Sequence, residues 1–241
     1  MKSVIFNQRV TVFTNSFIGY SDTHKNRLVS KLGSVEETGI LQPDFAVMLG
    51  PQQIISSSQI PQNAPWFIKT RGVKVAFQPG KIDVISDTFI NTIEEESNRI
   101  NELTRLLTQI NEAISIGNIT RMAYAPSLGL ESENDELNSF WNSLIGIVDL
   151  DGSPKREKMI RYNIPCQDNG LINRVVTITE GQRAETISAD NKIENKTMEC
   201  VIVSIDINTH GNDGCFSTDD VNIFCTKAQK MKEEILSVIN R

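Results

Sequence analysis

Apolar side chains recur along this chain at two periods, and the periods follow one order in each half: strand patterns first, then a long helical stripe. Strand patterns lie around Phe45–Ser56, Trp66–Phe77 and Lys81–Ile85, and a helix is expected from about Thr88 to Ile116. The second half gives strands around Glu157–Ile164, Leu171–Thr179 and Met198–Asn208, then a helix from about Thr218 to Ile239. Antiparallel sheets covered by long amphipathic helices describe an α+β layer architecture. Here the strand-strand-strand-helix plan occurs twice. The expected division is an N-terminal α+β half, 1–117, and a C-terminal α+β half, 118–241, which can also be joined as one continuous domain.

Individual patterns sharpen this outline. Val4, Phe6, Val10 and Val12 alternate with Ile5, Asn7, Arg9 and Thr11, a half-buried strand. Ser21–Ser34 reads as a short helix or an irregular segment, and Gly50-Pro51 interrupts the strand that contains it. Val73, Val75 and Phe77 alternate, Pro79-Gly80 turns the chain, and Ile82, Val84 and Ile85 return as a hairpin. In the first long helix Ile93, Ile100, Leu107 and Ile114 recur every seven residues, with Leu103 and Ile110 completing an a/d seam that Glu96 interrupts. This seam packs on the sheet, pairs with a second copy, or does both. Ile93, Ile100, Leu103, Leu107 and Ile110 are therefore the candidate interface, and a homodimer is expected.

A short strand from Ile119 leads into an acidic stretch, SLGLESENDE, and a helix carrying Leu137, Phe140, Trp141 and Leu144 follows. Gly181–Thr197 is a polar connection in which only isolated apolar residues occur. Val201, Val203, Ile205 and Ile207 alternate with Ile202, Ser204, Asp206 and Asn208. Ser217 or Thr218 then caps a helix with Asp219 and Asp220 in its first turn.

At 241 residues the chain can bury a sizeable core. Its apolar runs are too short for a membrane-spanning helix, and the opening MKSVIFNQRVTVF becomes polar before a signal-peptide core can build. A cytoplasmic protein with reduced thiols is the expectation, against disulfides in a secreted one. The net charge of −6 falls entirely in residues 121–241. The best basic cluster, Lys69, Arg71, Lys74 and Lys81, reads as a solvated strand face, so nucleic acid is disfavoured as a partner.

Catalytic vocabulary is sparse. His24 and His210 are the only histidines, and no phosphate-binding glycine loop, nucleophile elbow or His-Glu-x-x-His motif occurs. Asp206, His210 and Asp213 could hold a divalent ion beside Cys215, although Asn, Asp and Gly also suit a strand-to-helix turn. Cys215 and Cys225 would need a lowered pKa to act as nucleophiles. No cofactor is implied.

Arg121-Met122-Ala123-Tyr124 and Val203-Ser204-Ile205-Asp206, with the terminal helix behind them, give the chain a layout. This layout resembles a sporadically distributed, uncharacterised bacterial protein family with a carboxy-terminal Leu-Asp-Ile-Asp strand. Ser204 stands where that pattern has its first Asp. The resemblance carries no catalytic residue and points to mobile-element or phage-defence settings. The expected function is a non-enzymatic interaction or accessory protein working with a protein partner or itself. The alternatives are a small-molecule or peptide binder, and a metal-assisted hydrolase or nuclease using the 206–215 loop.

Overall fold

The computed structural model is an α+β fold built on one antiparallel sheet, of nine strands among the described residues. It describes residues 2–41, 63–131, 136–137, 139–141, 158–165, 172–189, 192–210 and 215–239, with backbone alone at 165, 183–189 and 192–198. In chain order the elements are β1 (Lys2–Thr14), α1 (Asp22–Leu32), β2 (Glu37–Ile40), β3 (Trp66–Thr70), β4 (Val73–Gln78), β5 (Lys81–Ser86) and α2 (Ile93–Ile114). They continue as β6 (Ile119–Glu131), β7 (Met159–Pro165), β8 (Ile172–Ala189), β9 (Lys192–Thr209) and α3 (Thr218–Ile239). The sheet order is β2-β3-β4-β5-β1-β6-β9-β8-β7, so β1 is the central strand and its pairing with β6 joins the halves 1–117 and 118–241 in one sheet. The expected strand around Phe45–Ser56 lies outside the described residues.

Alternation along the strands decides what is buried. Val10 and Val12 on β1, Val75 and Phe77 on β4, Val84 on β5, Tyr124 and Leu128 on β6, and Val203 and Ile205 on β9 all point to one face. There they join a single core with Ile100, Leu103, Leu107 and Ile110 of α2 and Val221, Phe224 and Ala228 of α3. Helix α1 packs on α2, and α2 on α3. On the opposite phase the row Ala76, Asp83, Thr11, Ala123 and Asn208 is also buried, while Lys69, Arg9 and Arg161 are exposed.

Local signals set the ends of the elements. Ser21 caps α1, accepting from the His24 amide at 3.1 Å, and Gly33 closes it at φ 74°, where a Cβ would be strained. Gly80 turns the β4–β5 hairpin, also at positive φ. Helix α2 begins at Ile93, later than the expected Thr88, because Ile5 and Ile90 exchange backbone hydrogen bonds of 2.9 and 2.8 Å and hold the preceding residues extended. Thr92 and Glu95 form its capping box. The amides of Asn91 and Thr92 hold the Glu95 carboxyl below its ordinary pKa. Ser217 and Asp220 do the same for α3, with hydrogen bonds of 2.8 and 3.2 Å.

Three expectations change. A bulge between Ile5 and Asn7 in the β1–β6 ladder resets the phase, so Ile5 enters the core with Gln8, Val10 and Val12 rather than facing away from them. β6 runs on through Ser127–Glu131, where an acidic loop was expected, because Leu128 and Leu130 keep alternating into the core. The polar connection 181–197 is a β8–β9 hairpin arm, paired in register as far as Ala189 opposite Lys192.

Candidate functional site

With α1, α2 and α3 on one side, the other side of the sheet carries the polar phase of the strands. Its residues fall into rows that cross the strands. One row runs Glu37, Lys69, Lys74, Ile85, Arg9 and Ala125 from β2 to β6, each directly opposite the next. It then passes through Asp206, Val175 and Asn163. The neighbouring row is Asn7, Ser127, Ser204, Thr177 and Arg161. In the second half the two rows enclose a hollow of about 430 Å³. Small side chains (Ala125, Ser127, Thr177 and Ser204) line its floor, and Arg9, Arg161 and Asp206 line its sides.

The charges on this face are of two kinds. Some are satisfied internally. The Asp83 carboxylate accepts from Thr11 Oγ1 at 2.6 Å and Gln78 Nε2 at 2.9 Å, and pairs with Lys81 at 3.1 Å. Arg121 is satisfied only in part: it lies over the Phe13 ring at 4.8 Å and donates to Asn208 Oδ1 at 2.8 Å, its Nε is buried without a partner, and Asn208 Nδ2 donates to Asp206 Oδ1 at 3.0 Å. Others form no ion pair, although Glu37 stands opposite Lys69 on β2. Among the described residues, Arg9, Lys69 and Arg161 pair with no carboxylate, and Lys74 only lies over the Phe67 ring at 4.6 Å. Lys69 and Lys74 stand directly opposite each other. Like charges in that position destabilise a ladder. An anionic partner would relieve the repulsion.

On the helix side, a carboxylate is fully enclosed. Glu96 accepts from Lys232 Nζ at 2.5 Å, Tyr124 OH at 2.6 Å and Gln229 Nε2 at 3.2 Å, and Gln8 donates to the same Tyr124 hydroxyl at 2.9 Å. Burial, followed by the Glu96 charge, raises the Tyr124 pKa well above its ordinary value. An acid, a phenol and an amine together suggest acid–base chemistry, but Glu96 is 0% and Lys232 2% exposed, so no substrate reaches them. The cluster ties α2 and α3 to the centre of the sheet, and it explains why a glutamate interrupts the α2 seam.

The interface candidates divide. Ile100, Leu103, Leu107 and Ile110 are buried within the chain's own core, and Ile93 is exposed at the start of α2. Intramolecular packing therefore occupies most of that seam. Of the metal candidates, Asp206 belongs to the sheet hollow, His210 is exposed just past β9, and Asp213 lies outside the described residues. Among the described residues, no group of three His, Cys, Asp or Glu side chains could hold a metal ion. Cys200 and Cys225 are buried and Cys215 is exposed, Cys215 and Cys225 are free thiols, and burial pushes the Cys225 thiol up to about 12. Cys166 lies outside the described residues. No described helix is long and apolar enough to cross a membrane.

Arg9 was legible only as a polar-phase strand residue and Arg161 only as part of the strand around Glu157–Ile164, because nothing in sequence spacing brings β1 and β7 to one hollow. Of the basic cluster recognised in sequence, Lys81 is taken by Asp83, and Arg71 reaches the Leu32 carbonyl at 3.4 Å. Lys69 and Lys74 remain. No protein-family model matches the chain, and no curated protein matches it.

Proposed function

We propose that this chain is a non-enzymatic interaction protein that docks an acidic segment of a partner protein across the open face of its sheet. The observation that carries this reading is the set of cations that form no ion pair with a described carboxylate, Lys69, Lys74, Arg9 and Arg161, on the face opposite α1, α2 and α3. Satisfied acids on the same face, Asp83 above all, argue against a uniformly polyanionic ligand such as nucleic acid and for a protein surface of mixed charge. We read β3–β4–β5–α2 and β7–β8–β9–α3 as one plan used twice. Each long helix then stiffens one wing of the platform.

Fluorescence anisotropy of a labelled oligoglutamate peptide against the full chain tests the reading, with a single-stranded oligonucleotide as comparison. The peptide should bind at low salt and weaken as salt rises. The pairs Lys69→Glu with Lys74→Glu, and Arg9→Glu with Arg161→Glu, should each abolish binding while melting curves stay unchanged. Tighter binding of the oligonucleotide, or peptide binding indifferent to both pairs, would overturn it.

A further inference from the structure

The last strand of the sheet, β7, has no neighbour on its outer side among the described residues. On the helix side of that edge lies a groove of about 450 Å³ between β7, β8 and the end of α3. Its lining is apolar and open: Tyr162 is 42%, Ile164 41% and Val238 65% exposed, over a floor that includes Val176 and Ile178. Arg174 also lines it, opposite Ile164 on β8, and its Nε is buried without a hydrogen-bond partner.

These features together specify an occupant. A free strand edge offers backbone donors and acceptors, an apolar trough beside it accepts alternate side chains, and an unsatisfied guanidinium requires an acceptor, preferably an anion. The opposite end of the sheet shows what completes such an edge. There β3 is hydrogen-bonded to β2, and the apolar side beneath is closed by Leu28 and Leu32 of α1. We infer that an extended segment of a partner protein adds to β7 as a further strand. Its alternate apolar side chains fill the groove, and one of its carboxylates pairs with Arg174.

A second copy of this chain fits less well. Antiparallel β7–β7 pairing would bring Arg161 close to its own copy and supply no acceptor for Arg174. An acidic residue on the outward phase of the added strand would instead meet Arg161, which forms no ion pair among the described residues.

The probe is a labelled peptide alternating Val with Glu, measured by anisotropy against the full chain and followed by amide hydrogen exchange. The expected result is binding with new protection at Met159–Ile164. The affinity should fall at least tenfold in Tyr162→Glu with Val238→Glu, and several-fold in Arg174→Gln. Arg9→Glu with Lys69→Glu, on the other face, should leave the exchange signature at β7 intact. Failure of the open-face proposal is thereby kept separate from failure of this one. Tyr162 and Val238 are exposed, Arg174 is half-buried, and melting curves check that each variant is folded. Three results would overturn the inference. They are equal binding by a block peptide of the same composition, protection confined to other strands, and β7 already protected in a dimer without peptide.

Discussion

The two ends of the sheet are finished differently. At the first, Trp66 of β3 is wholly buried, stacked on Phe77 at 4.6 Å between centroids and met edge-on by Tyr20 at 5.5 Å, and its indole donates to the Ile18 carbonyl at 3.0 Å. β2 takes the edge hydrogen bonds and α1 closes the apolar side. At the second end, Tyr162 and Ile164 hold the corresponding inward phase of β7 and remain exposed. The same strand alternation thus yields a core in one place and an exposed apolar edge in the other. The difference lies in whether further chain packs against the strand.

The largest test of that contrast is truncation at each end. Trp66→Ala should cost about 3–5 kcal/mol, since it opens a cavity and removes both ring contacts. Tyr162→Ala should cost under ~1 kcal/mol, as exposed substitutions do. Denaturant unfolding of both variants decides it, and equal costs would mean that the second end is sealed after all.

The centre, where the halves meet, should be nearly as sensitive. Glu96→Ala leaves the Lys232 ammonium buried without its main partner, and breaking such a pair costs about 3–5 kcal/mol. Glu96→Leu combined with Lys232→Met should recover most of the loss. A double variant no better than the single one would show that the cluster contributes more than paired charge.

Alkaline pH probes the same centre more gently. Burial raises the Cys225 thiol to about 12 and holds Tyr124 well above its ordinary value. Both groups are therefore kept protonated by folding. Their stabilisation is complete below the ordinary thiol and phenol pKa values, roughly 8.5 and 10, and drains away as pH rises towards the folded values. Melting temperature should fall above about pH 9, and Cys225→Ala should flatten the first part of the decline. An unchanged profile in Cys225→Ala would assign the decline to Tyr124 alone.

The smallest effects should be alike in the two halves. Thr92→Ala and Ser217→Ala each remove a helix N-cap, and each should cost about 1 kcal/mol. Replacing Lys31, which pairs with Glu112 at 2.7 Å on the surface, should cost no more than ~0.5 kcal/mol.

Much of this architecture is written in local pattern. Thr92, Glu95, Ser217, Gly80 and the alternation of Val201 to Asn208 act on their immediate neighbours. They establish by themselves the strands, the hairpin and the presence of both long helices, because capping and pleat geometry depend on residues a few positions apart. The start of α2 instead follows from the distant pairing of Ile5 with Ile90. Local pattern fails where one residue shifts a phase, as at the β1 bulge, or where a partner strand rescues polar sequence, as in the arm 181–197 of β8 and β9. The sequence also shows a glutamate inside the α2 seam, but it does not show that Lys232, Tyr124 and Gln229 receive it. Only the tertiary structure decides that Arg9, Arg161 and Asp206 share one hollow, and that the α2 seam is spent inside the chain while β7 is left open. Each of these depends on pairings between segments far apart in sequence, and no local period encodes them.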